Sequence, residues 1–212
     1  DRASINQALT LGYSRLSGSI IPTSFEYFWP PPAPVYDPKR AAKLLAEAGY
    51  PNGFDAGEYY CDTSYANLGE AVVNSMQTVG IRAKIRPLER AAFFSGYADK
   101  KYRNLIQGSS GAFGNAATRL EQFVASTGVY SYGGYPDIDG LMQEQAADPD
   151  PKRREATLKR IQQMVVERTM YAPIWELAFL NGVGPRVRES GLGLIAGHAY
   201  SAPYEDLALK GK

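Results

Sequence analysis

"VVNSMQTVGIRAKIRP", residues 72–87, changes its hydrophobic period halfway along. In the first half Val72, Met76 and Val79, with Leu68 before them, mark one face of a helix that Gly80 ends. In the second half Ile81, Ala83 and Ile85 face one way and Arg82, Lys84 and Arg86 the other, until Pro87, which has no N–H to donate, closes the strand. A helix delivering directly into a strand is half of a parallel crossover, and the flanks supply the rest. "GEYYCD" (57–62) reads as a strand ahead of the helix. A second amphipathic helix is expected from about Glu89 to Lys101, with Ala92, Phe93 and Tyr97 inward, and "RNLIQGS" (103–109) reads as a third strand. Strand, helix, strand, helix, strand with right-handed crossovers builds a parallel α/β sheet, whose ligands sit beyond the carboxyl ends of the strands. Those ends are Cys61–Tyr65, Pro87–Glu89 and the loop "GSSGAFGN" from Gly108 to Asn115, so a ligand-facing loop is expected at 109–115.

Upstream, "YDPKRAAKLLAEAGYPNGF" (36–54) specifies a short helix and its stop. Asp37 can cap it, Pro38 fits its first position, and Ala41, Leu44, Leu45 and Ala48 form its apolar stripe. Gly49 and Pro51 end it, and Asn52 with Gly53 turns the chain back at Phe54. This is scaffold. "DRASINQALTL" (1–11) reads as a helix capped by Asp1, with Ile5 and Leu9 on one face, as if cut from something longer. Residues 17–36 hold Pro22, Pro30, Pro31, Pro32 and Pro34 among Phe25, Tyr27, Phe28 and Trp29. That is irregular, extended chain whose aromatics pin it to the core, with a polyproline-recognition ligand as the functional alternative.

Downstream, a helix is expected near Thr118–Ser126, then the turn-rich stretch 128–140 in which Asp137 caps a short helix. Asp150 and Pro151 open the longest helix, with Leu158, Ile161 and Val165 buried and Glu155 placed to pair with Lys159. "YAPIWELAFLNGVG" (171–184) reads as buried strand, and the tail after Pro185 has little periodicity. The fold class is α/β. A helix and Pro/aromatic-rich loop (1–36) precede the ligand-binding α/β lobe (37–184), and an irregular tail (185–212) follows it.

Composition removes several function classes. With 23 basic against 22 acidic residues the net charge is +1, so no global field favours nucleic acid, acidic substrates or a membrane surface. One Cys excludes an internal disulfide, and one His excludes a multi-histidine metal site. No apolar run approaches the roughly 20 residues of a membrane-spanning helix. The 15 tyrosines would serve equally as structural residues or as a surface that stacks on organic ligands.

The search for catalytic chemistry finds no constellation. The Gly-rich stretch 108–114 lacks the Lys and following Ser or Thr of a phosphate loop, and "GSSG" is not the G-x-S-x-G of a nucleophile elbow. Cys61 with His198 has no recognisable thiol-protease signature, which leaves an α/β hydrolase using Cys61 or a serine as the rival reading. Glu89 is the one carboxylate expected at a strand end beside the cleft, where it would orient a polar ligand group or pair with Arg90.

Four stretches carry a resemblance: "YDPKRAAKLLAEAGYPNGF", "VVNSMQTVGIRAKI" (72–85), "DRASINQAL" (1–9) and the run from "YPDIDGLM" at 135 to "APIW" at 175. Together they resemble the C-terminal part of the family 5 extracytoplasmic solute-binding proteins, the dipeptide and oligopeptide receptors of ABC importers, whose members are far longer. The resemblance implies a periplasmic binding protein type II-like lobe with a βαβαβ core, in a periplasmic or lipid-anchored monomeric receptor. Such a receptor closes on a small-molecule solute and presents it to an ABC permease in the membrane. It implies binding rather than catalysis, with no cofactor, no metal and no nucleic acid. Peptide-binding members place an acidic residue in the loop after the third strand to pair with the peptide's amine, whereas the loop at 108–115 has none. An unpaired buried ammonium costs several kcal/mol, so a free peptide amine would be rejected unless Glu89 or the other lobe compensates. Ser109, Ser110 and Asn115 offer neutral hydrogen bonds and Phe113, Tyr59 and Tyr60 offer ring faces, which with Glu89 form the expected binding set and would suit an uncharged, sugar-like or aromatic solute.

Overall fold

The computed structural model describes residues 1–109, 114–192, 194–195 and 201–211. In chain order the elements are α1 (Arg2–Thr10), β1 (Arg15–Leu16), α2 (Pro38–Glu47), β2 (Phe54–Asp62), α3 (Ala66–Gln77), β3 (Ile81–Leu88), α4 (Arg90–Ala98) and β4 (Leu105–Gln107). There follow α5 (Ala116–Phe123), α6 (Pro136–Ala147), α7 (Pro151–Glu167), β5 (Trp175–Glu176), β6 (Val187–Glu189) and β7 (Ala208–Leu209).

The period change at Gly80 is the junction of α3 and β3. Strands β2, β3 and β4 form a parallel sheet in the order β3-β2-β4, with Tyr59 beside both Ile85 and Leu105 and Cys61 beside both Pro87 and Gln107. The first crossover thus runs to one side of β2 and the second returns past it, which puts the two connecting helices on opposite faces. Packing agrees. A Cβ on Gly69 of α3 would lie 2.9 Å from Ile85 and 3.3 Å from Tyr59, so α3 lies close on that face. On the other, Phe93 and Tyr97 of α4 join Tyr102 against Tyr60, Leu88 and Ile106. Ala92, expected inward with them, is exposed, because the cluster is reached at Phe93, Gly96 and Tyr97 instead.

Strand β2 starts three residues before the expected Gly57. The register with β3 shifts between Asp55 and Glu58, and Gly57 has φ 74°, so a glycine that reads as a strand boundary is a bulge within the strand. At the head of the ladder Phe54 N–H donates to the Gly80 carbonyl at 3.1 Å, and Gly53 and Gly80 meet backbone to backbone, both at positive φ.

A second core is helical. Leu120 of α5, Ile138 of α6 and Leu158 and Ile161 of α7 are fully buried together with Ile21 of the Pro/aromatic-rich loop. Phe25 is buried there too. Gln162 holds the rest of that loop, accepting from Trp29 N–H at 2.9 Å and donating to the Tyr27 carbonyl at 2.8 Å. Helix α7 is as expected, capped by Asp150, opened by Pro151 and carrying a Lys159–Glu155 pair at 2.5 Å.

Three expectations are corrected. Asp137 does not cap α6. The cap position is Tyr135, Pro136 takes the first turn, and Asp137 instead pairs with Arg168 of the α7 C-terminus, which holds its carboxyl down at about 2. Helix α5 begins earlier, at Ala116, because Asn115 and Thr118 cap it reciprocally. Within 171–184 only Trp175 and Glu176 form strand, antiparallel to Leu16 and Arg15, and Phe179, Leu180 and Val183 are exposed. Their apolarity is that of an uncovered surface rather than of a core strand.

Candidate ligand-binding site

Register alone assembles a site. At the carboxyl edge of the sheet β2 ends in Cys61 and Asp62, β3 in Pro87 and Leu88, and β4 in Gln107. Asp62 is almost completely buried. One carboxylate oxygen accepts from Ser64 N–H at 2.9 Å and the other from Arg90 Nη1 at 2.7 Å. Arg90, the first residue of α4, leaves 58% of its side chain exposed, and its guanidinium lies 5.0 Å from the Phe94 ring centre. Gln107 is buried beside them, accepting from the Tyr59 hydroxyl at 3.0 Å and donating to the Tyr65 carbonyl at 3.3 Å. This amide ties β4 to the turn that follows β2.

The seven sequence candidates fall in different places. Tyr59 lies under α3 at 5% exposure, and burial pushes its hydroxyl up, so it stays a neutral donor to Gln107. Tyr60 points to the opposite face, stacked on Tyr102 with ring centres 4.5 Å apart. Its hydroxyl donates to Glu58, and Glu58 also accepts from Arg86 Nε at 2.6 Å; these two bonds hold the Glu58 carboxyl below its ordinary range. Glu89 is at the edge, but its carboxylate accepts from Ala91 and Ala92 N–H at 2.9 and 3.3 Å as the cap of α4, and the partner of Arg90 is Asp62. Ser109 is half-buried just past β4. Asn115 accepts from Thr118 N–H at 3.1 Å as the α5 cap. Ser110, Phe113 and His198 lie outside the described residues.

The edge therefore gathers Asp62, Arg90, Gln107, Glu89 and Ser109. Asp62, Arg90 and Gln107 were not in the sequence-derived set. A signal existed for Gln107, a polar residue that follows the apolar Leu105 and Ile106 inside the expected strand 103–109, and Asp62 lay within the expected Cys61–Tyr65 end.

Cys61 is completely covered, and burial followed by the neighbouring Asp62 charge raises its thiol. The thiol is therefore not offered to solvent as a nucleophile. Iodoacetamide should leave Cys61 unmodified in the native protein and label it fully in denaturant, read by mass spectrometry. Stoichiometric native labelling would show an open thiol.

Two cavities, of about 260 and 310 Å³, lie elsewhere, around the Pro/aromatic-rich loop. One is lined by Arg2, Ile20, Pro32, Gln162 and Tyr171, the other by Leu16, Phe28, Pro30 and Pro31. Their polar groups are spent on the chain itself: Arg2 Nε donates to the Pro173 carbonyl at 2.7 Å and Gln162 holds the loop. The strand edge is the better candidate, because donors and acceptors converge there at the carboxyl ends of parallel strands, where ligands of such sheets bind. Among the described residues no group of His, Cys, Asp and Glu could hold a metal, and no helix is long and apolar enough to cross a membrane.

Comparison with known proteins gives the frame. Residues 1–131 match the family described as bacterial extracellular solute-binding proteins, family 5 middle. The glutathione-binding protein GsiB of Shigella dysenteriae is 25% identical over 195 residues, covering 82% of this chain and 36% of that protein, and GsiB of Escherichia coli K12 aligns equally well. Among solved structures, the periplasmic binding protein DppA from Helicobacter pylori in complex with the peptide STSA has a TM-score of 0.73 at 19% identity, covering 83% of this chain and 36% of its own. The dipeptide-binding protein from Pseudoalteromonas sp. SM9913 in complex with Met-Leu has a TM-score of 0.73 at 22% identity, covering 83% and 37%. The chain spans little over a third of the length of these relatives. At such identities the structures carry the fold, which is that of a periplasmic binding protein type II-like lobe. The family match over more than half of the chain carries more: this protein belongs to family 5 of the bacterial extracellular solute-binding proteins, and is extracytoplasmic with them.

Proposed function

We propose that this chain supplies one lobe of a two-lobed receptor that captures a small peptide-like solute and hands it, unchanged, to an ABC permease. Residues 37–184 are the lobe, 1–36 are the helix and Pro/aromatic-rich loop that pack onto it, and 185–212 are the tail that returns toward the other lobe. The observation that carries this reading is the carboxyl edge of the parallel sheet, where the buried Asp62 and Gln107 at the ends of β2 and β4 stand beside the half-exposed Arg90 and the half-buried Ser109. Exposed apolar side chains at Leu11, Tyr13, Phe179, Leu180, Val183 and Leu209 support it, since a surface of this kind is ordinarily covered. The relatives' glutathione and peptide ligands support the solute class. The sealed Cys61 leaves the hydrolase alternative without its thiol.

Closure of such a receptor is driven by the ligand's preference for the shut state, so contacts from both lobes are needed. Calorimetry with glutathione and Met-Leu should give saturable heat with the full-length receptor, and binding at least roughly 100-fold weaker with this chain alone. Equal affinity for the isolated chain, or a chemically altered solute after incubation, would overturn the reading.

A further inference from the structure

We propose that Arg90, held by Asp62, receives a carboxylate of the solute, so that this lobe reads an acid group rather than an amine. The inference rests on the receptor function proposed above and replaces the expectation of an uncharged solute.

A carboxylate removed from water needs donors, and Asp62 has two, Ser64 N–H and Arg90. A buried acid on the end of β2 thereby fixes a cation on the first residue of α4. The covering is one-sided: Asp62 keeps 2% of its side chain exposed and Arg90 keeps 58%. Phe94 lies against the guanidinium, which restricts it further. A guanidinium carries five N–H donors, and among the described residues only Nη1 has an acceptor. The uncommitted donors lie at the carboxyl edge, with the planar fork that a carboxylate accepts in bidentate fashion. The one carboxylate nearby in sequence, Glu89, is turned to its own helix N–H groups and does not compete for the fork. The loop at 108–115 contributes no acid that would attract an ammonium in its place.

An Arg90–Asp62 pair that served only to strap the turn after β2 to α4 would not affect which solute binds. The test uses the full-length receptor and calorimetric titration with glutathione, Met-Leu and the carboxyl-amidated form of each. The wild type should prefer the free acids. R90K keeps a cation for Asp62 but loses the fork, and should bind the acids roughly tenfold more weakly. The double variant D62N/R90Q leaves no orphaned buried charge, and should lose roughly 10- to 100-fold of the acid-over-amide preference with its melting temperature nearly unchanged. If a wild type that binds solute is matched by the double variant on both acids and amides, the assignment of Arg90 fails and the receptor function stands. Should the double variant not fold, unchanged affinity in R90K overturns the assignment instead. Failure of the wild type to bind any acid or amide overturns the receptor reading and this inference with it.

Discussion

Gly53→Ala is expected to stop the sheet from forming. A Cβ at Gly53 would lie 2.0 Å from the carbonyl oxygen of Gly80, 2.3 Å from its carbonyl carbon and 2.6 Å from its Cα. All three are backbone atoms, so no side chain can rotate away. Gly53 also has φ 72°, a conformation that L-residues adopt only at a cost. Relief would require β2 and β3 to part at Phe54 and Ile81, where their ladder begins. The loss should be about 4 kcal/mol or more, at the far end of single-substitution effects and comparable with the whole stability of a domain. Soluble yield and chemical denaturation would show it, and a Gly53→Ala protein within about 1 kcal/mol of wild type would contradict the close approach. Gly80→Ala should be milder, because its Cβ would stand 3.0 Å or more from its nearest neighbours.

Leu158→Ala should produce the second large effect, in the other core. Leu158 sits mid-way along α7, is fully buried, and packs with Leu120, Ile138 and Ile161, all equally covered. Truncation removes the transfer energy of the lost methyl and methylene groups and leaves a cavity, together worth about 3–5 kcal/mol. For a chain of this size that lowers the melting temperature by about 6–20 °C. The adjacent Lys159→Ala removes only a half-exposed ion pair and should cost a few tenths of a kcal/mol. The contrast between neighbours on one helix separates burial from charge, and equal losses for the two would refute the assigned core.

Both sites lie in regions where the sequence was most legible. Local chemistry carried α7, whose cap, proline and apolar stripe all agree, and the crossover at Gly80, where the hydrophobic period changes. Signals with two meanings were misread. Gly57 looks like a boundary and is a bulge, Asp137 looks like a cap and is an ion-pair partner, and the apolar run at 171–184 looks like core strand though only Trp175 and Glu176 of it join a strand ladder. At the candidate site the strand ends were in the right place, but the roles of the side chains were not legible. Glu89 and Asn115 are caps because each lies just ahead of a helix start, a boundary the expected helices missed by one or two residues. The importance of Asp62 and Gln107 depends on burial against partners 28 and 48 residues away, which no local pattern records.

Helix α2 stands apart from both cores. It buries no side chain, and only Pro38, Ala41 and Leu45 are even half covered. Its amphipathic stripe therefore contributes little to the assembled lobe, and its ends do most of the holding: Asp37 at the start, and the turn that leads into Gly53 at the finish. The segment can melt and re-form while the sheet and the α5–α7 bundle persist, so a proteolytic nick or an inserted residue would be better tolerated there than anywhere along α7.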